Sequence, residues 1–201
     1  MRSKAIALII ALAGTIPFMS SAQSPEAQAP RDRTITQKHF AHMPVAIKEV
    51  RNLNKGDDWT RDLEIEVKNV SDKPIYFVLI YMEFPDIPAP PPPPRTDGTE
   101  YGAPPVTGFP LSFGSRELID IQCLATPDDP AIKPGESYVF RIPEGDVKGL
   151  AYMKREQGVT DEMTKNINLE LNLLSFGDGT GYMSGRKFVF PKESLKFWHE
   201  L

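Results

Sequence analysis

Cysteine is nearly missing from this chain. Cys123 is the only one in 201 residues, so no internal disulfide, Cys-x-x-Cys redox pair or cysteine-rich zinc site is available. Histidine is almost as scarce, with His39, His42 and His199 making up the three present. None lies near Cys123 in sequence, which argues against a thiol nucleophile with an imidazole base. The H-E-x-x-H, calcium-loop and G-x-S-x-G signatures are absent. Past residue 22 no apolar run reaches the roughly 18 residues that a bilayer span needs. Positive charge is also short: 23 Lys and Arg against 27 Asp and Glu give a formal charge of −4. With the signs interspersed, that balance fits neither nucleic acid nor an anionic membrane surface.

What is present begins with export. Arg2 and Lys4 precede an apolar run from Ala5 to Phe18, and Ser20-Ser21-Ala22 supplies small residues for cleavage. Residues 1–22 therefore read as a signal peptide, too short in its apolar part for a membrane span. The expected location is the periplasm or the exterior, with no membrane insertion after processing. The mature chain would carry about −6 once Arg2 and Lys4 are gone. Its roughly 180 residues are enough to bury on the order of 70% of the unfolded surface around one core. Without disulfides, packing must hold that core together.

Residues 23–43 are polar and without period, and are expected to form a flexible N-terminal arm. Strand signals start at Val45. "VAIKEVRNL" slips in its alternation near Glu49, as a bulge would make it. "LEIEVKNV" alternates Leu63, Ile65 and Val67 with Glu64, Glu66 and Lys68, one side in the core and one in water. "IYFVLIYMEF" is apolar on both faces. "RELIDIQC" reads as a strand with Ile119, Ile121 and Cys123 on one side, which makes Cys123 a core thiol. In "IKPGESYVFRI" Pro134-Gly135 has type II turn chemistry, followed by Tyr138, Phe140 and Ile142 on one side of a strand. Residues 144–156 lose the two-residue period; Val147, Leu150, Ala151 and Lys154 have helical spacing instead. "INLELNLLSF" alternates Ile167, Leu169, Leu171 and Leu173, "GDGTG" turns the chain, and "YMSGRKFVF" closes it. The fold class expected is all-β: an antiparallel β-sandwich of about seven strands with one short helix, forming a single domain over 44–201.

Of the 20 prolines, five are consecutive, Pro90 to Pro94 in "DIPAPPPPPRTDG". The stretch before them holds about three strands, too few for an independent domain. Residues 85–110 thus form a proline-rich insertion within one domain. Polyproline is already extended at about 3.1 Å per residue and loses little entropy when ordered. The insertion is expected to lie as a flap over Tyr76, Val78, Ile80 and Met82, the second apolar face of the third strand.

Few side chains point to chemistry. Asp178 and Thr180 fit a hairpin turn, and Glu64 with Glu66 fits a solvated strand face rather than a glycosidase pair. "HFAHM" sets His39 and His42 beside Met43, a ligand set that would suit copper; it is the third reading, and no metal or other cofactor is expected. Function concentrates instead at one pole. Connections in an antiparallel sandwich alternate between its ends, so the loop at 54–60, the proline insertion and the helical segment share an end. That end carries Asp57, Asp58, Trp59, Tyr101 and Phe109, together with Tyr152. Aromatic residues on loops at one pole are a common binding surface.

"LEIEVKNVSDKPIYFV" and "IKPGESYVFRI" resemble the strand–turn–strand and Pro-Gly-Glu edges of bacterial exported immunoglobulin-like domains, over roughly residues 45–190. The proline insertion and "FGDGTGYMSGRKF", followed by Phe197 and Trp198, resemble a group of uncharacterised exported bacterial proteins. The resemblance implies fold and export, and carries no active-site residues with it. The expected function is a non-enzymatic exported binding module for a protein or glycan partner. The alternative is a carbohydrate-directed module or enzyme accessory using the Trp59 and proline-loop end.

Overall fold

The computed structural model describes residues 32–56, 59–89 and 106–196. The chain is mostly β, with few helices. Its elements are β1 (Thr34–Lys38), β2 (Val45–Arg51), α1 (Trp59–Asp62), β3 (Glu64–Asn69), β4 (Phe77–Pro88), β5 (Val106–Gly114), β6 (Ser137–Arg141), α2 (Glu144–Glu156), β7 (Asn166–Ser175), β8 (Thr180–Met183) and β9 (Arg186–Val189). Two short 3₁₀ turns, Arg116–Ile119 and Lys192–Ser194, accompany them among the described residues. Among the described residues no helix is long and apolar enough to cross a membrane.

The strands form two sheets. A three-stranded antiparallel sheet runs β2-β3-β6, and a six-stranded one runs β5-β4-β7-β8-β9 with β1 joined to β7. All neighbours are antiparallel except β1, which pairs parallel with β7 from Thr34–Asn166 to Lys38–Glu170. The alternation of β3 is realised as read: Leu63, Ile65 and Val67 are buried. They share a core with Val78, Ile80 and Met82 of β4 and with Ile167, Leu169 and Leu171 of β7. The slip near Glu49 is a register shift between Ile47 and Glu49 in the β2–β3 pair. Gly135 has φ +81° and Glu136 N–H donates to Lys133 O at 3.0 Å, the type II turn that Pro134-Gly135 requires.

One buried polar side chain fixes the turn after β3. Asn69 is fully enclosed. Its Nδ2 donates to Lys73 O and Ile132 O, both at 2.8 Å. Its Oδ1 accepts from Ser71 N–H at 2.9 Å and Ser71 Oγ at 2.7 Å. The exposed face of the small sheet is a charge ladder. Arg51 Nε donates to Glu64 Oε2 at 2.8 Å and Arg141 Nε to Glu64 Oε1 at 3.0 Å, tying β2, β3 and β6 across their outer side.

Five expectations are corrected. Residues 34–43 are not a mobile arm: β1 is a paired strand, and Phe40 and Met43 are buried in the main core. "RELIDIQC" is not a strand but a 3₁₀ turn and a bend, with Leu118, Ile121 and Cys123 buried and Ile119 46% exposed. "YMSGRKFVF" is two strands, β8 and β9, reversing at Ser184-Gly185 with φ +45° and +80°. The insertion is shorter than 85–110, because β4 extends to Pro88 and pairs it with Val106 of β5. Residues 90–105, with the proline run and Tyr101, lie outside the described residues.

The fifth correction concerns the cover over the two-faced strand. Val78, Ile80 and Met82 face the core shared with the small sheet, so they need no flap. The opposite face carries Phe77 and Leu79, and Leu118, Ile121 and Cys123 of the segment after β5 pack on it together with Leu173.

Candidate functional site

The pole proposed from loop alternation exists in its described parts. α1 touches α2, and α2 touches β5. Trp59 opens α1 and is fully buried, so it presents no ring to a ligand. Its edge meets Phe84 with centroids 6.2 Å apart, and Phe84 in turn meets Phe109 at 5.6 Å. The Arg33 guanidinium lies over the indole, 4.3 Å from its centroid. Trp59 Nε1 donates to Asp161 Oδ1 at 3.0 Å, and Lys154 of α2 pairs with the same carboxylate oxygen. A buried indole N–H needs such an acceptor. Arg33 completes the clasp, donating to Thr164 O, Leu53 O and Asp161 O at 3.1, 2.9 and 3.2 Å. A planar five-donor fork is well suited to several carbonyls at once. Trp59 is thus the hub of a structural knot that fastens β1, α1 and α2, which corrects its reading as a binding residue. Asp57, Asp58 and Tyr101 lie outside the described residues.

Beside the knot, α2 and the start of β5 leave a cleft of about 290 Å³. β5 contributes Thr107, Gly108 and Phe109; α2 contributes Asp146, Gly149, Leu150, Tyr152 and Met153. Phe109 and Leu150 are buried side chains at its base, whereas Tyr152 is 54% exposed at its rim. The Arg155 guanidinium lies over the Tyr152 ring, 5.3 Å from its centroid. Gly108 is glycine for a local reason: a Cβ there would lie 2.7 Å from Met82 O of the neighbouring strand. Gly149 is the opposite case, with open space where its Cβ would be. Asp146 is the one charged side chain that the described residues give to the lining.

Phe109 and Tyr152 are therefore the described members of the sequence-derived set that line this cleft. The sequence names Tyr152 at this end and places the helical segment there, without singling out Asp146, Gly149 and Met153 within it. Their signal was present in the spacing 146, 149, 150 and 153, one stripe of a helix.

The remaining candidates are structural. Asp178 accepts from Lys73 Nζ at 2.7 Å and from Thr180 N–H at 3.0 Å, closing the turn between β7 and β8. Met43 is packed in the core, whereas His39 and His42 are exposed on the turn leaving β1. No group of three or more His, Cys, Asp or Glu suited to a metal occurs among the described residues. Comparison with protein-family models, with curated proteins and with solved structures finds no match.

Proposed function

We propose that this is an exported, non-enzymatic binding module of immunoglobulin-like sandwich type, whose partner docks at the cleft between α2 and β5. The strand order supports the sandwich type. β2-β3-β6 corresponds to A-B-E of such a domain and β5-β4-β7-β8 to C′-C-F-G, with α2 inserted between E and F. The observation that carries the binding reading is the cleft itself. An apolar base, a half-exposed tyrosine at the rim and a single carboxylate form the usual composition of a small recognition site. Tyr152 also keeps the carbohydrate-directed alternative in play, since an exposed ring at a cleft rim can stack on a sugar.

Amide-resolved NMR titration with a library of small aromatic, aliphatic and sugar fragments tests the reading. Shifts confined to residues 107–109 and 146–153, and lost in Gly149→Trp, are the expected result. Gly149 lines the cleft and a Cβ there meets open space, so a bulky side chain at this position is expected to obstruct the cleft while the backbone keeps its course. A library that perturbs none of these amides, or one that perturbs only a different face, would overturn the cleft as the binding site.

A further inference from the structure

The cleft's shape and charge narrow its occupant, and the inference here rests on the binding reading above. Its volume of about 290 Å³ is at the lower limit of small-molecule pockets, near 300 Å³. It therefore has room for one long side chain rather than for a broad partner surface. Phe109, Leu150 and Met153 offer apolar contact along its length, and Asp146 is the only charge among the described lining residues. A side chain with an aliphatic stem and a cationic head matches that lining, stem against the apolar wall and head at the carboxylate.

The strand wall adds a second constraint. Among the described residues β5 is the terminal strand of the large sheet, and a terminal strand offers backbone groups to a further chain. Pro110 is paired opposite Tyr81, and proline is tolerated in a sheet where its missing N–H would face away from the neighbouring strand. Gly108 is two residues earlier in the same strand, so its N–H and C=O face the same open side. Gly108 also lines the cleft. A backbone donor and acceptor thus border the pocket that accepts the cation. Pro110 ends the pairing edge after that rung, which limits docking to a short segment.

We propose that the cleft reads a short extended peptide bearing an arginine or lysine, whose backbone pairs with β5 at Gly108 and whose cationic side chain enters toward Asp146. The probe is the blocked pentapeptide acetyl-TVRVT-amide, titrated into the full mature chain by NMR and calorimetry. Three comparisons accompany it: the citrulline counterpart, which keeps shape and loses charge; the peptide N-methylated on both sides of the arginine; and n-butylguanidine alone. Binding is expected at residues 107–109 and 146–153, at least tenfold weaker for the citrulline and N-methylated peptides and for n-butylguanidine. Asp146→Asn is expected to remove the preference for arginine over citrulline, and Gly149→Trp to remove binding altogether. Equal affinity for arginine and citrulline, or a preference that survives Asp146→Asn, would overturn the charge assignment. Equal affinity for n-butylguanidine and the peptide would overturn the strand pairing. If fragments shift the cleft amides and the peptide does not, the peptide inference fails while the cleft remains a binding site. If sugars alone shift them, the inference fails in favour of the carbohydrate reading.

Discussion

Replacing Asn69 by alanine should destabilise the fold more than any surface change of the same size. The side chain is fully buried and makes four hydrogen bonds, two as donor and two as acceptor. Each net bond contributes roughly 0.5–1.5 kcal/mol. Two facts temper the sum. Ile132 O still accepts from Ile75 N–H, and Lys73 O from Ser71 Oγ, when Asn69 is gone. Ser71 is only half-buried, so water can replace part of what its N–H loses. The expected loss is therefore about 2–4 kcal/mol, the lower half of the roughly 2–6 kcal/mol that four such bonds sum to. At about 2–4 °C per kcal/mol for a domain of this size, the melting temperature should fall by roughly 4–16 °C. Urea unfolding monitored by circular dichroism, with calorimetry alongside, measures both quantities. Asn69→Asp separates the roles, because it keeps the acceptor toward Ser71 and places a carboxylate against two carbonyls; it should be at least as damaging as alanine. A loss below about 1 kcal/mol for alanine at an unchanged denaturant slope would show that the turn does not depend on this side chain.

Trp59→Ala should cost about 3–5 kcal/mol in the same unfolding assay, as for a large buried aromatic; a loss under 1 kcal/mol would contradict the knot. Gly149→Ala should raise stability by up to about 1 kcal/mol, since it removes a flexible helix residue where a Cβ meets open space; a lower melting temperature would mean the position is crowded. Four carboxyls are held below their usual range in the folded protein. Hydrogen bonds from Arg141 and then Arg51 lower Glu64, and one from Lys196 lowers Asp120. Partial burial pushes Asp86 and Asp178 up, but hydrogen bonds from Asn166 and from Lys73 and Thr180 outweigh it. Depressed values in the folded state mean that this stability is complete above about pH 5 and is lost as pH falls through the unfolded and then the lower folded values. Melting temperature should hence be level near neutrality and drop below about pH 5. Asp178→Asn should shallow that drop, and an unchanged acid limb would remove Asp178 from the account.

The legible parts of this fold are those in which one side of a strand is wet. β3 and β7 announce themselves because Leu63, Ile65, Val67 and Ile167, Leu169, Leu171 alternate with polar residues. β1 gives no such signal. "TITQK" is held by its backbone against β7, and only Ile35 of its side chains is even half-buried. "RELIDIQC" misleads for a periodic reason. Leu118 and Ile121 are three apart, the repeat of a 3₁₀ turn, but Ile119, Ile121 and Cys123 also alternate, and the two-residue period is the one that catches the eye. The site was legible in place and not in role. Trp59 does lie at the pole, yet its acceptor Asp161 is 102 positions away, and no local pattern shows that an aromatic residue is sealed by so distant a partner.

The parallel union of β1 with β7 has a consequence for the order of assembly. Thr34 meets Asn166 across 132 positions of chain, so β1 has no sheet to join until most of the remaining chain has condensed. Closing so large a loop slows folding, but little depends on haste, because β4 and β8 flank β7 without help from the N-terminus. β1 is accordingly a late addition to a body that is otherwise complete, and it adheres to one half of an edge whose other half belongs to β8. A strand seated last is also the one that can leave first, which makes the Arg33 clasp the bolt on the molecule's most separable piece. Hydrogen exchange should find β1 opening well before the rest of its own sheet.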